Sequence, residues 1–145
     1  MNPTIITFGY PDSLVKEYEH WVVLVRADQV TLGSLVLAAK GDATAFGALE
    51  PAAFAELGEI VPAIERALRA FCGYEKINYL MLMMADPNVH FHVIPRYEGE
   101  RTAEGVSVAD KGWPKPPALG EAVELNPQQI SQLVSWMKQG WPSAT

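Results

Sequence analysis

Two apolar runs, residues 77–84 (INYLMLMM) and 88–95 (NVHFHVIP), are separated only by Ala85-Asp86-Pro87. Joining parallel strands takes a crossover of a dozen or more residues, so a link this short makes antiparallel neighbours of the two runs if both are strands. Residues 20–27 (HWVVLVRA) and 32–40 (LGSLVLAAK) repeat the pattern around a polar break at Asp28 and Gln29, which reads as a hairpin. Between the two pairs, Phe54, Leu57, Val61, Ile64, Leu68 and Phe71 recur at steps of three and four and predict a helix over 51–72. Pro51 suits its first turn and Gly73 its end, while Pro62 removes a backbone donor, where a kink is expected.

The flanks are read in the same way. Thr4 to Phe8 is expected to form a short strand, followed by a brief helix capped by Asp12 or Ser13 and carrying Leu14, Val15 and Tyr18. The methionines of 77–84 read as core filler. Residues 98–120 read as loop, with Pro114, Pro116 and Pro117 precluding regular structure in the second half. A terminal helix follows, with Asn126 as its cap, Pro127 at its first position and Gln129 placed for a capping box. The sum is a single α+β domain over residues 1–145, a mostly antiparallel sheet of about five strands flanked by helices. Segment 98–140 is expected to pack on its core.

Charge and composition exclude several functions. A net charge of −6 without basic runs is unsuited to non-specific nucleic-acid binding, which depends on neutralising phosphates, although a few local donors suffice to hold a small phosphorylated ligand. No stretch approaches the roughly 18 apolar residues of a membrane span, and residues 1–10 lack the basic start of a leader, so a cytoplasmic location is expected. Cys72 is the only cysteine and reads as a packed thiol at a helix end.

Within NVHFHVIPRY (88–97), strand alternation puts Asn88, His90 and His92 on one face and Val89, Phe91 and Val93 on the other. Neutral imidazole is a good nucleophile and leaving group when its second nitrogen is hydrogen-bonded, and phosphoryl oxygens need donors such as Asn88, His92 and Arg96. Two other uses stay open on the pattern alone. An H-x-H pair can chelate a metal, for which His20 and Asp86 would have to converge, or both histidines can be ordinary half-buried strand residues. Arg96 and Lys40 are candidates to neutralise phosphate, although a solvated charge is the commoner use of a strand end. Trp21 and Trp113 could stack on a base, or pack.

The run DPNVHFHVIPRY resembles the signature of the histidine-triad (HIT) family of nucleotidyl hydrolases and transferases, His-x-His-x-His-x-x with apolar x and often Pro-Arg behind. It is matched from the second histidine onward, with Val89, Phe91, Val93 and Ile94 in the apolar slots and Pro95-Arg96 following. QVTLGSLVLAAK resembles the family's glycine-containing strand, the long helix follows in order, and Asn78 opens the strand before the motif. The likeness covers roughly residues 20 to 97.

The resemblance implies a HIT-like fold, a homodimer formed by joining sheets, and reaction at the α-phosphate of nucleotide conjugates such as dinucleoside polyphosphates or nucleoside phosphoramidates. It makes His90 the attacking residue, through a nucleotidyl-histidine intermediate, and His92 a hydrogen-bonding partner of the phosphate. Asn88, Arg96, Asn78 and Lys40 become candidate substrate-binding residues, with no metal or cofactor required. Asn88 stands where the first histidine belongs; it can donate and accept hydrogen bonds but cannot become cationic or shuttle a proton. The alternative is therefore a weakened or inactive nucleotide-binding protein of the same fold. The short link 85–87 is a second departure and leaves the leaving-group contacts unassigned.

Overall fold

The computed structural model describes residues 1–142. Its centre is a five-stranded antiparallel sheet in the order β1 (Leu14–Glu17), β2 (Trp21–Val25), β4 (Leu35–Ala39), β6 (His90–Arg96), β5 (Lys76–Leu80). The hairpin expected from the two β-branched runs forms, pairing Trp21 with Ala39 through to Val25 with Leu35. The short link 85–87 likewise gives antiparallel β5 and β6, with Asn78 opposite Ile94 and Leu80 opposite His92. β3 (Asp28–Gln29) leaves the hairpin to pair with β9 (Val123–Glu124). Between β3 and β4, Gly33 takes a φ of +95° where an added Cβ would come within 3.1 Å of Leu68, so both its backbone and its lack of side chain are used.

Helix α2 (Pro51–Cys72) starts at its proline, continues through Pro62 and ends at a left-handed Gly73. It buries Ile60, Ile64, Leu68 and Phe71 against one face of the sheet, while Leu57 and Val61 are half-buried and Phe54 is exposed at the rim against Phe46. Helix α3 (Pro127–Gly140) carries the expected capping box between Asn126 and Gln129 and adds Leu133, Val134 and Met137 to the same layer. Each fully buried large apolar side chain contributes roughly 1.5–3 kcal/mol, so this helical layer is the main source of stability. No helix among the described residues is long and apolar enough to cross a membrane.

Four expectations are corrected. The segment read as a first strand is helix α1 (Pro3–Thr7), because the Asn2 side chain accepts from the Ile5 N–H and Pro3 suits a first turn, which outweighs the β-branched composition. The segment read as a brief helix is instead β1, which pairs Leu14 with Leu24 and Glu17 with Val22 across a register shift. Edge pairing with β2 satisfies its backbone, whereas a helix so short has little stability of its own. Residues 98–120 are not all loop: β7 (Glu100–Ala103) and β8 (Val106–Ala109) form a hairpin turned by Glu104 and Gly105, both at positive φ. Finally, β5 stops at Leu80, Met83 takes a φ of +49°, and Met84 is 90% exposed rather than core filler.

The other sheet face is covered by the N-terminal segment. Ile5 packs with Val22, Leu24, Val36 and Ala38, joined by Phe8, Tyr10 and Leu14. Asn2 secures the segment by donating to the carbonyls of Ala39 and Gly41, each at 2.8 Å.

Candidate functional site

Strand β6 separates two chemistries by alternation. Val89 and Val93 are buried in the helical layer with Phe91 packed beside them, while His90 and His92 lie opposite Ala38 and Val36 on the face that the N-terminal segment covers. The two imidazoles sit nearly perpendicular, 5.0 Å apart, and Phe8 packs against both, at 5.4 and 5.7 Å. His90 is 2% and His92 8% exposed.

The hydrogen bonds assign opposite tautomers to the two rings. Nδ1 of His90 lies 2.7 Å from the Asn88 carbonyl, which can only accept, so Nδ1 carries a proton and, in the neutral ring, Nε2 is the nitrogen with the lone pair. Nδ1 of His92 accepts from Nε of Arg26 at a long 3.4 Å, which puts its proton on Nε2. Burial, then the Arg26 charge and the neighbouring His90, pull the titration of His92 down to about 4, so the ring is neutral at neutral pH. A bare nitrogen beside a neutral N–H donor can attack an electrophile and hold one of its oxygens.

Asn88 lies just before the strand and reaches the histidines through its backbone carbonyl, not its amide. The amide oxygen accepts from the Thr4 hydroxyl at 3.0 Å, the same hydroxyl accepts from the Asn88 N–H at 3.1 Å, and the amide nitrogen donates to the Asp42 carbonyl at 3.3 Å.

The remaining candidates from the sequence are engaged elsewhere. Arg96 is four residues past His92, roughly 13 Å along the strand. Its guanidinium is bound to the Asp110 carboxylate at 2.7 and 3.1 Å, to Asn78 Oδ1 at 2.9 Å and to the Lys115 carbonyl at 2.7 Å. Asn78 thus belongs to the Arg96 cluster. Lys40 donates to Glu17 at 2.9 Å and to the Tyr18 carbonyl at 3.0 Å. Nε2 of His20 lies 3.9 Å from Glu19. Trp21 is fully buried and donates to the Ala53 carbonyl. Trp113 lines a separate cleft of about 630 Å³ with Asn78, Arg96 and Pro114. Among the described residues, no three His, Cys, Asp or Glu side chains are grouped to hold a metal ion.

Three residues of the histidine neighbourhood escape a reading of the motif alone: Thr4, Phe8 and Arg26. Arg26 had a signal in the hairpin. It continues the parity of Val22 and Leu24, and its N–H bonds Ser34, so β4 alone separates it from the histidine strand. Arg26 and Phe8 also line a cleft of about 520 Å³ whose walls include Asp12, Val25, Asp28 and Ile130.

No protein-family model matches the chain, and no curated protein does. Solved structures do. A histidine triad protein from Bradyrhizobium japonicum superposes with a TM-score of 0.71 at 20% identity, covering 96% of this chain and 95% of that one. One from Sinorhizobium meliloti gives a TM-score of 0.73 at 20% identity over 96% and 94%. The diadenosine triphosphate hydrolase of Plasmodium falciparum gives a TM-score of 0.66 at 10% identity over 90% and 76%. The five-stranded antiparallel sheet, the long helix on one face and the paired histidines on the other thus place the chain in the histidine-triad fold.

Proposed function

We propose that this chain hydrolyses, or transfers, the nucleotidyl group of a nucleotide conjugate by attack of His90 on the α-phosphorus. The observation that carries this reading is the 2.7 Å contact between His90 Nδ1 and the Asn88 carbonyl, which makes Nε2 the lone-pair nitrogen of the neutral ring. That pair forms the N–P bond as the bond to the leaving group breaks, and the leaving group departs with the electrons and takes a proton from solvent. Water, or an acceptor hydroxyl, then attacks phosphorus, loses its proton, and returns the pair to Nε2. His92, protonated on Nε2, donates to a phosphate oxygen. Dinucleoside polyphosphates and nucleoside phosphoramidates are the substrate classes. A diadenosine triphosphate hydrolase among the structural neighbours supports the first of these.

Mass spectrometry of the intact protein after a brief acid-free quench tests the reading. A nucleotidyl adduct on His90, absent in His90→Ala, is the expected result. Tight binding of AMP or GMP with no adduct and no product across a substrate panel supports the second reading, a nucleotide binder with weakened turnover. The engagement of Asn88 with Thr4 and Asp42 favours that alternative, because a side chain spent on structure adds neither charge nor a proton.

Pairing of two copies through β5 belongs to the same proposal. β5 is an outer strand, and Leu82 and Met84 beyond it are exposed. Sedimentation equilibrium is expected to give twice the chain mass. A cytoplasmic setting fits the single buried, unpaired thiol.

A further inference from the structure

The histidine site has a charge deficit. Asn88 is neutral, His92 is neutral at neutral pH, and a reacting phosphate brings negative charge. The two cations expected from the sequence to neutralise phosphate are committed elsewhere, Arg96 to Asp110 and Lys40 to Glu17. Arg26 differs from both. Among the described residues no carboxylate lies within 4 Å of its guanidinium, whose hydrogen bonds go to the Asp28 carbonyl and to His92 Nδ1.

Burial disfavours the charged form of this half-buried cation, the Asp28 carboxylate beyond 4 Å offsets that only in part, and a further anionic group would stabilise it. Neither histidine lines the 520 Å³ cleft; Arg26 and Phe8 join the pair to it, since both line the cleft while Arg26 bonds His92 and Phe8 touches both rings. Asp12 and Asp28 also line that cleft, so its charge is mixed, and the cation is the part next to His92.

We propose that Arg26 is the positioning and charge-supplying residue of this site: its Nε–H holds His92 with Nδ1 as acceptor, so that the His92 Nε2–H faces the ligand, and its guanidinium binds the anionic group of a phosphate ester seated in the adjoining cleft. The proposal rests on the function given above and adds to it the residue that replaces the missing positive charge. It also predicts the shape of the ligand, with the phosphate at the Arg26 end and an apolar or aromatic moiety against Phe8, Val25 and Ile130.

The test uses the full chain with histidines labelled in both ring nitrogens, comparing wild type with Arg26→Met. In the wild type, His92 is expected to show an unprotonated Nδ1 and a protonated Nε2. In the variant the tautomers mix and the titration midpoint of His92 rises by about one pH unit, because a neighbouring cation has been removed. A proton on Nδ1 in the wild type, or an unmoved midpoint in a variant that keeps a folded spectrum, overturns the positioning role. Calorimetry with AMP and with adenosine tests the charge role. Arg26→Met is expected to lose about tenfold or more in AMP affinity, the scale of a charge-assisted hydrogen bond, with adenosine binding unchanged. Equal losses for both, no loss for either, or no AMP binding by the wild type overturns it. Absence of a His90 adduct in the wild type counts against the proposed function alone, since the ring tautomer is read without turnover.

Discussion

The Thr4 hydroxyl and Asn88 form a two-way clasp: the hydroxyl donates to the amide oxygen at 3.0 Å and accepts from the backbone N–H at 3.1 Å. Asn88 therefore fastens the N-terminal segment over the two histidines. Thr4→Val and Asn88→Ala are expected to destabilise the protein by about 1–3 kcal/mol each, the cost of stranding a buried polar group. The double variant should lose less than the sum, by about 1 kcal/mol, in a denaturant-unfolding cycle.

Asn88→His is expected to raise the rate of adduct formation, by adding a group that can carry charge, while lowering stability, because an imidazole cannot reproduce both the Thr4 and Asp42 contacts. Quenched-flow rates and melting temperatures measured on the same preparation check the two directions together.

Acid should weaken the fold through His92. Its folded-state titration lies near 4, below the ordinary histidine value near 6.5, so on acidification the unfolded chain takes the proton first. No stability is lost above about pH 6.5. Between there and about 4 the loss grows to about 3 kcal/mol, and below that the contribution is flat. Unfolding free energies for wild type and His92→Gln across pH 4–7 should differ in slope, with the variant flatter.

Arg96 and Asp110 form an ion pair that is almost completely buried. Asp110→Ala leaves the guanidinium uncompensated and is expected to cost about 3–5 kcal/mol in urea unfolding. The loop 110–117 should loosen with it, since Arg96 also binds the Lys115 carbonyl and Asp110 accepts from the Gly112 N–H. Hydrogen exchange over that loop reads this directly.

Cys72 is 6% exposed, and burial pushes its thiol up to about 12. It should stay unmodified by a thiol reagent at neutral pH in the folded protein and react fully on denaturation.

What the amino-acid order determined by itself was everything that local periodicity and short links encode. The three-and-four spacing of α2, the Asn126–Gln129 capping box, the β2–β4 hairpin and the antiparallel β5–β6 pair follow from side-chain pattern and chain reach. The shared face of His90 and His92 follows from strand alternation. Where composition and context disagreed, context decided, through a local cap in the first segment and through tertiary pairing in the second. Thr4 to Phe8 has strand-like residues but a cap at Asn2, and Leu14 to Glu17 gains its backbone partners only from β2. The tertiary fold alone determined which cation meets the histidines. Arg96 is close to them in sequence, yet Asp110 and Asn78 hold it, while Arg26 is 66 residues from His92 and reaches it across β4. Long-range pairing sets such distances, and no pattern confined to one segment contains them.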